Sequence, residues 1–206
     1  PALFFGTRVR FKSVQAARAG ALAAWTAVRD GDRIAALRGS RLEAPVPPAS
    51  GPRGALRVLD ALARWYATRP DEDAGLGIAL DHASRLLRPG SRLVLLADPA
   101  SIDQVPKARW SGLALHHEVH AVLLTDPLEL APPAARLPFR GADAERVELA
   151  LDADNVRQRW RGEFGARLDA ALALLQGCGV RARALSCADP SEAWLPLLDQ
   201  PKGRAR

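Results

Sequence analysis

The sequence predicts a three-layer α/β domain in which a mostly parallel central sheet, with an antiparallel strand at its edge, is flanked by helices. Segments with three- and four-residue apolar spacing alternate along the chain with short apolar runs. Two of these runs, Arg92 to Ala97 and Val119 to Leu124, lie between turn residues and read as strands buried on both faces. With 206 residues, 48% of them hydrophobic, the chain can bury a substantial core. We therefore expect residues 1–206 to form one domain.

The first half of the chain is predicted to contain helices and one strand pair. An amphipathic helix is expected from Phe11 to Asp30, where apolar residues recur at helical spacing. Arg33 to Leu37 and Arg41 to Val46 read as an antiparallel pair, which Pro47 should end. A second helix is expected to begin near Pro52. Its predicted apolar face consists of Leu56, Leu59, Leu62, Ala63 and Tyr66.

The second half continues the alternation and supplies the remaining elements. Turn residues and changes in apolar spacing mark their ends. The predicted helices are Leu76 to Leu86, Gln104 to Leu115, Asp154 to Gln176 and Ser191 to Leu198. The predicted strands, besides the two buried runs, are Val180 to Leu185 and a hairpin of Arg136 to Arg140 with Arg146 to Ala150. All five tryptophans fall in helical patterns and are predicted to pack in the core or between helices, and not to stack on bases.

Composition excludes several classes of protein. The proportions of hydrophobic, charged, glycine, proline and cysteine residues differ from those of disordered chains, collagens and small disulfide-rich proteins. The two cysteines, Cys178 and Cys187, have no metal-ligand spacing and favour a reducing, cytoplasmic compartment. No segment approaches the roughly 18 apolar residues of a spanning helix, so we expect no membrane contact. The net charge of +6 is almost all arginine, spread without blocks, so nucleic-acid binding stays only an alternative.

Signatures of enzymes are mostly missing from the sequence. There is no nucleophile elbow and no phosphate-binding loop. The run from His116 to His120 (HHEVH) lacks the spacing of a zinc protease. If it enters a strand, His116, Glu118 and His120 share a face and could ligate zinc, but a solvated strand entrance is the favoured interpretation.

Two acidic residues stand directly after the two buried strands. Asp98 follows the first strand and Asp126 the second, and ligands of open α/β sheets bind beyond the carboxyl ends of the strands. Carboxylates in that place can bind magnesium or a hydroxyl group. They can equally cap a turn, since Asp before Pro commonly starts one. A metal-dependent hydrolase centred on Asp98 and Asp126 is therefore a second possible function.

The chain also resembles a known family. The segments Phe5 to Arg38 (FGTR, FK and GDR), Leu93 to Asp98 (LVLLAD) and Ala121 to Glu129 (AVLLTDPLE) are similar to the C-terminal part of "domain of unknown function 58" proteins. That family is related to the von Willebrand factor type A domain. The resemblance implies a von Willebrand A-like fold and no enzymatic activity. It also implies a partnership with MoxR-type AAA+ ATPases in chaperone-like complex assembly, because family members are commonly encoded beside them.

The related domain type carries a metal-ion-dependent adhesion site. The resemblance aligns Ala2 with its last serine ligand, Ala74 with its threonine ligand and Asp98 with its third-loop aspartate. Alanine offers no oxygen ligand, so we expect magnesium to bind weakly or not at all and no other cofactor to be present. The remaining acidic signature of the family is Asp126 and Glu129. Together with Thr7 of FGTR, these positions form the set predicted to bind a partner.

The resemblance further implies that the central first strand of the fold precedes Pro1 and is missing from this sequence. The domain would then be truncated at its N-terminus. We expect a gap in its sheet, a second chain that fills the gap, or a longer protein of which this sequence is the ordered part.

Overall fold

A computed structural model of the chain describes residues 2–7, 9–40, 43–67, 75–140 and 146–199, with the backbone alone at residues 66 and 140. The predicted alternation of helices and strands is confirmed. The helices are α1 (Lys12–Arg29), α2 (Gly51–Ala67), α3 (Gly75–Leu86), α4 (Lys107–His116), α5 (Pro127–Leu130) and α6 (Asp154–Gly177). The strands are β1 (Arg33–Ala36), β2 (Val46–Ser50), β3 (Arg92–Ala97), β4 (Glu118–Thr125), β5 (Arg136–Arg140), β6 (Arg146–Ala150) and β7 (Arg181–Ser186).

A three-stranded parallel sheet forms the centre of the fold. Its strand order is β3-β4-β7, with Leu93 opposite Val119 and Leu123 opposite Ala184. The middle strand β4 is buried along seven of its eight residues, as expected for an apolar strand covered by helices on both faces. In this register β3, β4 and β7 end side by side, so the loops after them meet at one edge of the sheet.

Helices cover both faces of the parallel sheet. On one face, α3, α4 and α6 pack against Leu95, Ala121 and Leu123. On the other face, α1 and the segment around Trp194 pack against Val122 and Leu124. The predicted α/β fold class is confirmed by this arrangement, which is consistent with an open von Willebrand A-like sheet.

Among the described residues, antiparallel pairing occurs in two separate two-stranded sheets, β1-β2 and β5-β6, and not at the edge of the parallel sheet. The hairpin β5-β6 has the predicted bounds. In the described part of the chain, β3 is an edge strand of the parallel sheet, and α1 contacts both β1 and β3. A further strand beside β3 stays a prediction.

Three details of the sequence prediction were wrong. The partner of β1 is Val46–Ser50, whereas the predicted strand ran from Arg41 to Val46, with residues 41–42 outside the described part of the chain. The prolines are tolerated because a two-stranded pair leaves an outer edge on which they cost no hydrogen bond. The face of α2 is rotated: Ala55, Val58 and Ala61 are buried, whereas Leu56 and Ala63 are exposed. The predicted closing helix is only a 3₁₀ turn at Leu195–Leu197, since Pro196 interrupts it.

The tryptophans were only partly predicted correctly. Trp110 and Trp194 are fully buried, but Trp25 exposes 44% of its surface on α1. Trp160 donates its indole N–H to the carbonyl of Leu128, at 2.9 Å.

Candidate functional site

Asp98 and Asp126 lie at the carboxyl edge of the sheet and cap the turns that follow β3 and β4. The Asp98 Oδ1 atom accepts the backbone N–H of Ala100 at 2.8 Å, and the Asp126 Oδ1 atom accepts that of Leu128 at 2.9 Å. In both cases a proline occupies the first turn, where the N–H group that it lacks would have no hydrogen-bond partner within the helix. The capping role considered from sequence therefore applies to both carboxylates.

Lys12, the first residue of α1, joins the two acidic loops. Its side chain is 1% exposed, and its Nζ atom lies 2.7 Å from Asp98 Oδ2 and 2.5 Å from Glu129 Oε1. A buried ammonium needs such partners, because an isolated charge would cost several kcal/mol to desolvate. Lys12 thereby fixes the start of α1 to the ends of β3 and β4.

Glu129 completes a capping box with Asp126. The Glu129 Oε2 atom accepts the backbone N–H of Asp126 at 2.8 Å, while its other oxygen accepts Lys12. Burial lowers the pKa of Lys12, but the carboxylates of Glu129 and Asp98 outweigh it and leave this pKa raised. Burial raises the pKa of Glu129, and the attraction of Lys12 only partly offsets that effect. The lysine is therefore held in its charged form.

Thr7 ties the segment before α1 to the same group of side chains. Its hydroxyl donates to Asp126 Oδ1 at 2.5 Å and its backbone N–H donates to Asp126 Oδ2 at 3.0 Å. Asp126 thus holds two chain segments that are 119 residues apart in sequence. We refer to Thr7, Lys12, Asp98, Asp126 and Glu129 as the edge cluster.

The loop after β7 is joined to α1 by a hydrogen-bond network centred on Gln15. Gln15, one helical turn after Lys12, is fully buried and donates to the carbonyls of Ser186 and Asp189 at 2.9 and 3.1 Å. Its Oε1 atom accepts from Arg10 at 2.7 Å and from the hydroxyl of Ser191 at 3.0 Å. The first turn of α1 therefore binds the loops after all three parallel strands.

The edge cluster does not fit a metal ion. All six carboxylate oxygens of Asp98, Asp126 and Glu129 already accept a hydrogen bond from the protein. Between Asp98 and Glu129, where a cation would be attracted most strongly, stands the ammonium of Lys12. No group of three or more potential His, Cys, Asp or Glu ligands occurs among the described residues. Asp98 is therefore an ion-pair partner of Lys12 in this structure.

The predicted binding residues are only partly brought together. Thr7, Asp98, Asp126 and Glu129 share the edge cluster. Ala2 lies exposed in a 3₁₀ turn, and Ala74 falls outside the described residues. A cavity of about 20 Å³, the size of a single water molecule, adjoins Asp98, Glu129 and the buried Thr125, whose hydroxyl has no hydrogen-bond partner in the part of the chain that the structure describes.

Sequence reasoning missed Lys12 and Gln15 as members of this edge. Lys12 is one of three lysines in an arginine-rich chain and belongs to the FK pair of the family pattern. That rarity is the signal that could have singled it out. Gln15 carries no comparable signal, since a glutamine on an amphipathic helix normally faces solvent.

The histidine run lies at the opposite edge of the sheet and forms no ligand set. Glu118 and His120 share a face of β4, with His120 Nε2 3.4 Å from Glu118 Oε1, while His116 is exposed at the end of α4. The expected solvated entrance is wrong for His120, which is fully buried. Glu118 instead pairs with Arg92 and Arg181.

Acid should destabilise the protein through His120. Burial lowers the pKa of this imidazole, and although Glu118 opposes the effect, Arg181 and Arg92 add to it. In the unfolded chain His120 binds a proton near pH 6.5. Its contribution to stability is therefore present above pH 6.5 and lost as the pH falls toward the lower folded pKa, by at most about 1.4 kcal/mol per pH unit.

Urea unfolding of the wild type and His120→Gln between pH 7.5 and 5 measures this dependence. We expect the slope of the unfolding free energy against pH to be smaller in His120→Gln. His116→Gln, which removes an exposed histidine, should retain the wild-type slope. Equal slopes in all three proteins would show that His120 does not carry the effect.

Comparison with known proteins gives one match. No curated protein and no solved structure matches the chain. No helix among the described residues is long and apolar enough to span a membrane. A family model described as "Protein of unknown function DUF58" matches residues 1–170, and the chain belongs to this family.

Proposed function

We propose that the protein is a non-enzymatic interaction module, an adaptor that works in the cytoplasm with a MoxR-type AAA+ ATPase in chaperone-like complex assembly. The observation that carries the proposal is the saturation of the edge cluster. Its carboxylates bind Lys12, Thr7 and backbone N–H groups, and these contacts stabilise the loops at the sheet edge. None of the three carboxylates in the cluster is therefore free to act as a general base or as a metal ligand.

Two further observations support a binding role over catalysis. The cavity beside Asp98 and Glu129 holds about 20 Å³, far below the roughly 300 Å³ of a small-molecule site. Burial raises the pKa of the Cys187 thiol to about 12, which keeps it from acting as a thiolate nucleophile. Loops that hydrogen bonds and ion pairs hold at a sheet edge are a suitable surface for recognising another protein.

A pull-down with a MoxR-type AAA+ ATPase tests the proposal. We expect nucleotide-dependent association with the intact protein. The exposed Ala2 lies in the predicted binding set, so Ala2→Arg should weaken association. Ala173→Arg, on an exposed part of α6, should leave it unchanged. No association with or without nucleotide would reject the proposal.

The competing function is the metal-dependent hydrolase centred on Asp98 and Asp126. It requires the carboxylates to exchange their present partners for a cation. Calorimetric titration of the intact protein with Mg²⁺ or Mn²⁺ separates the two functions, since a hydrolase of this kind should bind at micromolar to millimolar concentrations. Such binding at Asp98, lost in Asp98→Asn, would favour the hydrolase.

A further inference from the structure

An apolar groove runs between α1 and α2, away from the edge cluster. Its volume is about 240 Å³, and apart from Arg18 it is lined by aliphatic side chains. These are Val14, Ala17 and Ala21 from α1 and Leu59, Leu62 and Ala63 from α2. The volume lies below the roughly 300–1,000 Å³ of drug-sized ligand sites, so the groove suits a few apolar side chains better than a whole small molecule.

Small residues let the two helices pack closely, and larger apolar residues on their outer sides stay exposed to solvent. Ala24, Ala55 and Val58 fill the contact between α1 and α2. Trp25 stands one turn after Ala21 on the same side of α1 and is 44% exposed, and Leu56 is 57% exposed on α2. From Val14 to Trp25 this apolar stripe measures about 16 Å, at about 1.5 Å per residue. That length equals roughly three turns of a helix laid along it.

The exposed side chains of the α1–α2 pair carry an excess of positive charge. Helix α1 contains no acidic residue, and α2 contains only Asp60. The exposed charges of the pair are five positive and one negative, namely Arg18, Arg29, Arg53, Arg57 and Arg64 against Asp60. Arg29 and Arg64 are engaged in ion pairs with Asp30 and Asp60. Arg18, Arg53 and Arg57 have no ion-pair partner among the described residues.

We propose that this groove binds an amphipathic helix of a partner protein, with apolar residues facing α1 and α2 and acidic residues beside Arg18. A helix with apolar residues at i, i+3, i+4 and i+7 fits a groove between two packed helices. Carboxylates on its flank would pair with Arg18, the charged residue among the described residues that line the groove. The inference rests on the proposed interaction function and names a surface for it.

Charge also distinguishes the partner helix from other occupants. A second copy of the chain would bring an equally positive helix pair against the groove, and like charges repel. A nucleic acid would contact the arginines but would leave the apolar lining exposed, since its affinity comes mainly from phosphates. An acidic amphipathic helix uses both the apolar lining and the charge.

Fluorescence anisotropy with a labelled 16-residue model helix tests the groove. The probe carries Leu at the i, i+3, i+4 and i+7 positions and Glu on its flanks, with a Lys-flanked version and a scrambled version as comparisons. We expect the wild type to bind the Glu-flanked peptide in preference to both. Arg18→Glu and Ala63→Glu should each weaken that binding at least about tenfold, and Arg18→Glu should improve binding of the Lys-flanked peptide.

Both substituted residues are exposed, so folding should be preserved, and circular dichroism checks this. The matched controls Arg161→Glu and Ala170→Glu lie on exposed positions of α6 and should bind like the wild type. Equal binding of the scrambled peptide, equal binding by Arg18→Glu, or stronger binding to vesicles of anionic lipid than to the peptide would overturn the proposal.

A second measurement separates this inference from the proposed function. If the ATPase binds the wild type and binds Arg18→Glu and Ala63→Glu equally well, the interaction function stands and the groove is not its surface. The wild type could instead bind no ATPase but bind the Glu-flanked peptide, with weaker binding in Arg18→Glu and Ala63→Glu. The groove would then be a binding site for a helix, and the proposed ATPase partner would be wrong.

Discussion

Replacing Lys12 by Met is expected to lower the free energy of unfolding by about 3–5 kcal/mol, because breaking a buried ion pair leaves its partners uncompensated. The substitution keeps most of the side-chain volume but removes the charge between Asp98 Oδ2 and Glu129 Oε1. Urea denaturation at neutral pH measures the loss. For a domain of this size it corresponds to a fall in Tm of roughly 6–20 °C.

The control for this prediction is Lys107→Met, which removes an exposed lysine and should change stability by less than about 0.5 kcal/mol. Adding Glu129→Gln to Lys12→Met should cost less than the sum of the two single changes, since it removes one of the orphaned carboxylates. A loss below 1 kcal/mol in Lys12→Met, or stabilisation of the wild type by Mn²⁺, would contradict the assignment of Lys12 as the cation of this site.

The parallel sheet could be predicted because its signal is local. Strand β3 has the predicted bounds, and β4 extends the predicted Val119 to Leu124 by one residue at each end. Each strand is an apolar run between turn residues, and no distant contact is needed to recognise it. Strand β2 was misplaced for the opposite reason, because its two prolines are tolerated only in the context of an exposed strand edge.

Two of the five residues of the edge cluster could be predicted in the same way. Asp98 and Asp126 follow buried strands directly, and that position alone marks them as candidates. Lys12 is a member only because chain folding brings it to partners 86 and 117 residues away. Its burial depends on those contacts, and in sequence it is simply the first residue of an amphipathic helix. The competition between a metal ion and a lysine for the same carboxylates could therefore be decided only in three dimensions.

The segment containing Thr7 should be released when Asp126 is replaced by Ala. This change removes the cap of α5, which is worth about 0.5–2 kcal/mol, and both hydrogen bonds from Thr7 to a charged acceptor. We expect a total loss of about 2–4 kcal/mol in urea denaturation. Asp103→Ala, which removes an exposed aspartate after β3, should be nearly neutral.

A local measurement distinguishes this release from general destabilisation. The backbone N–H of Thr7 is bonded to Asp126 Oδ2, so its hydrogen exchange should accelerate in Asp126→Ala by more than that of the β4 amides. Asp126→Asn should lie between the wild type and Asp126→Ala, because its amide oxygen can still cap Leu128 but can no longer accept at both positions used by Thr7. Uniform acceleration of exchange across β4 and Thr7 would mean that Asp126 stabilises the whole fold without anchoring this segment. The order of the three proteins in Thr7 exchange therefore tests whether Asp126 joins the segment before α1 to the edge of the sheet.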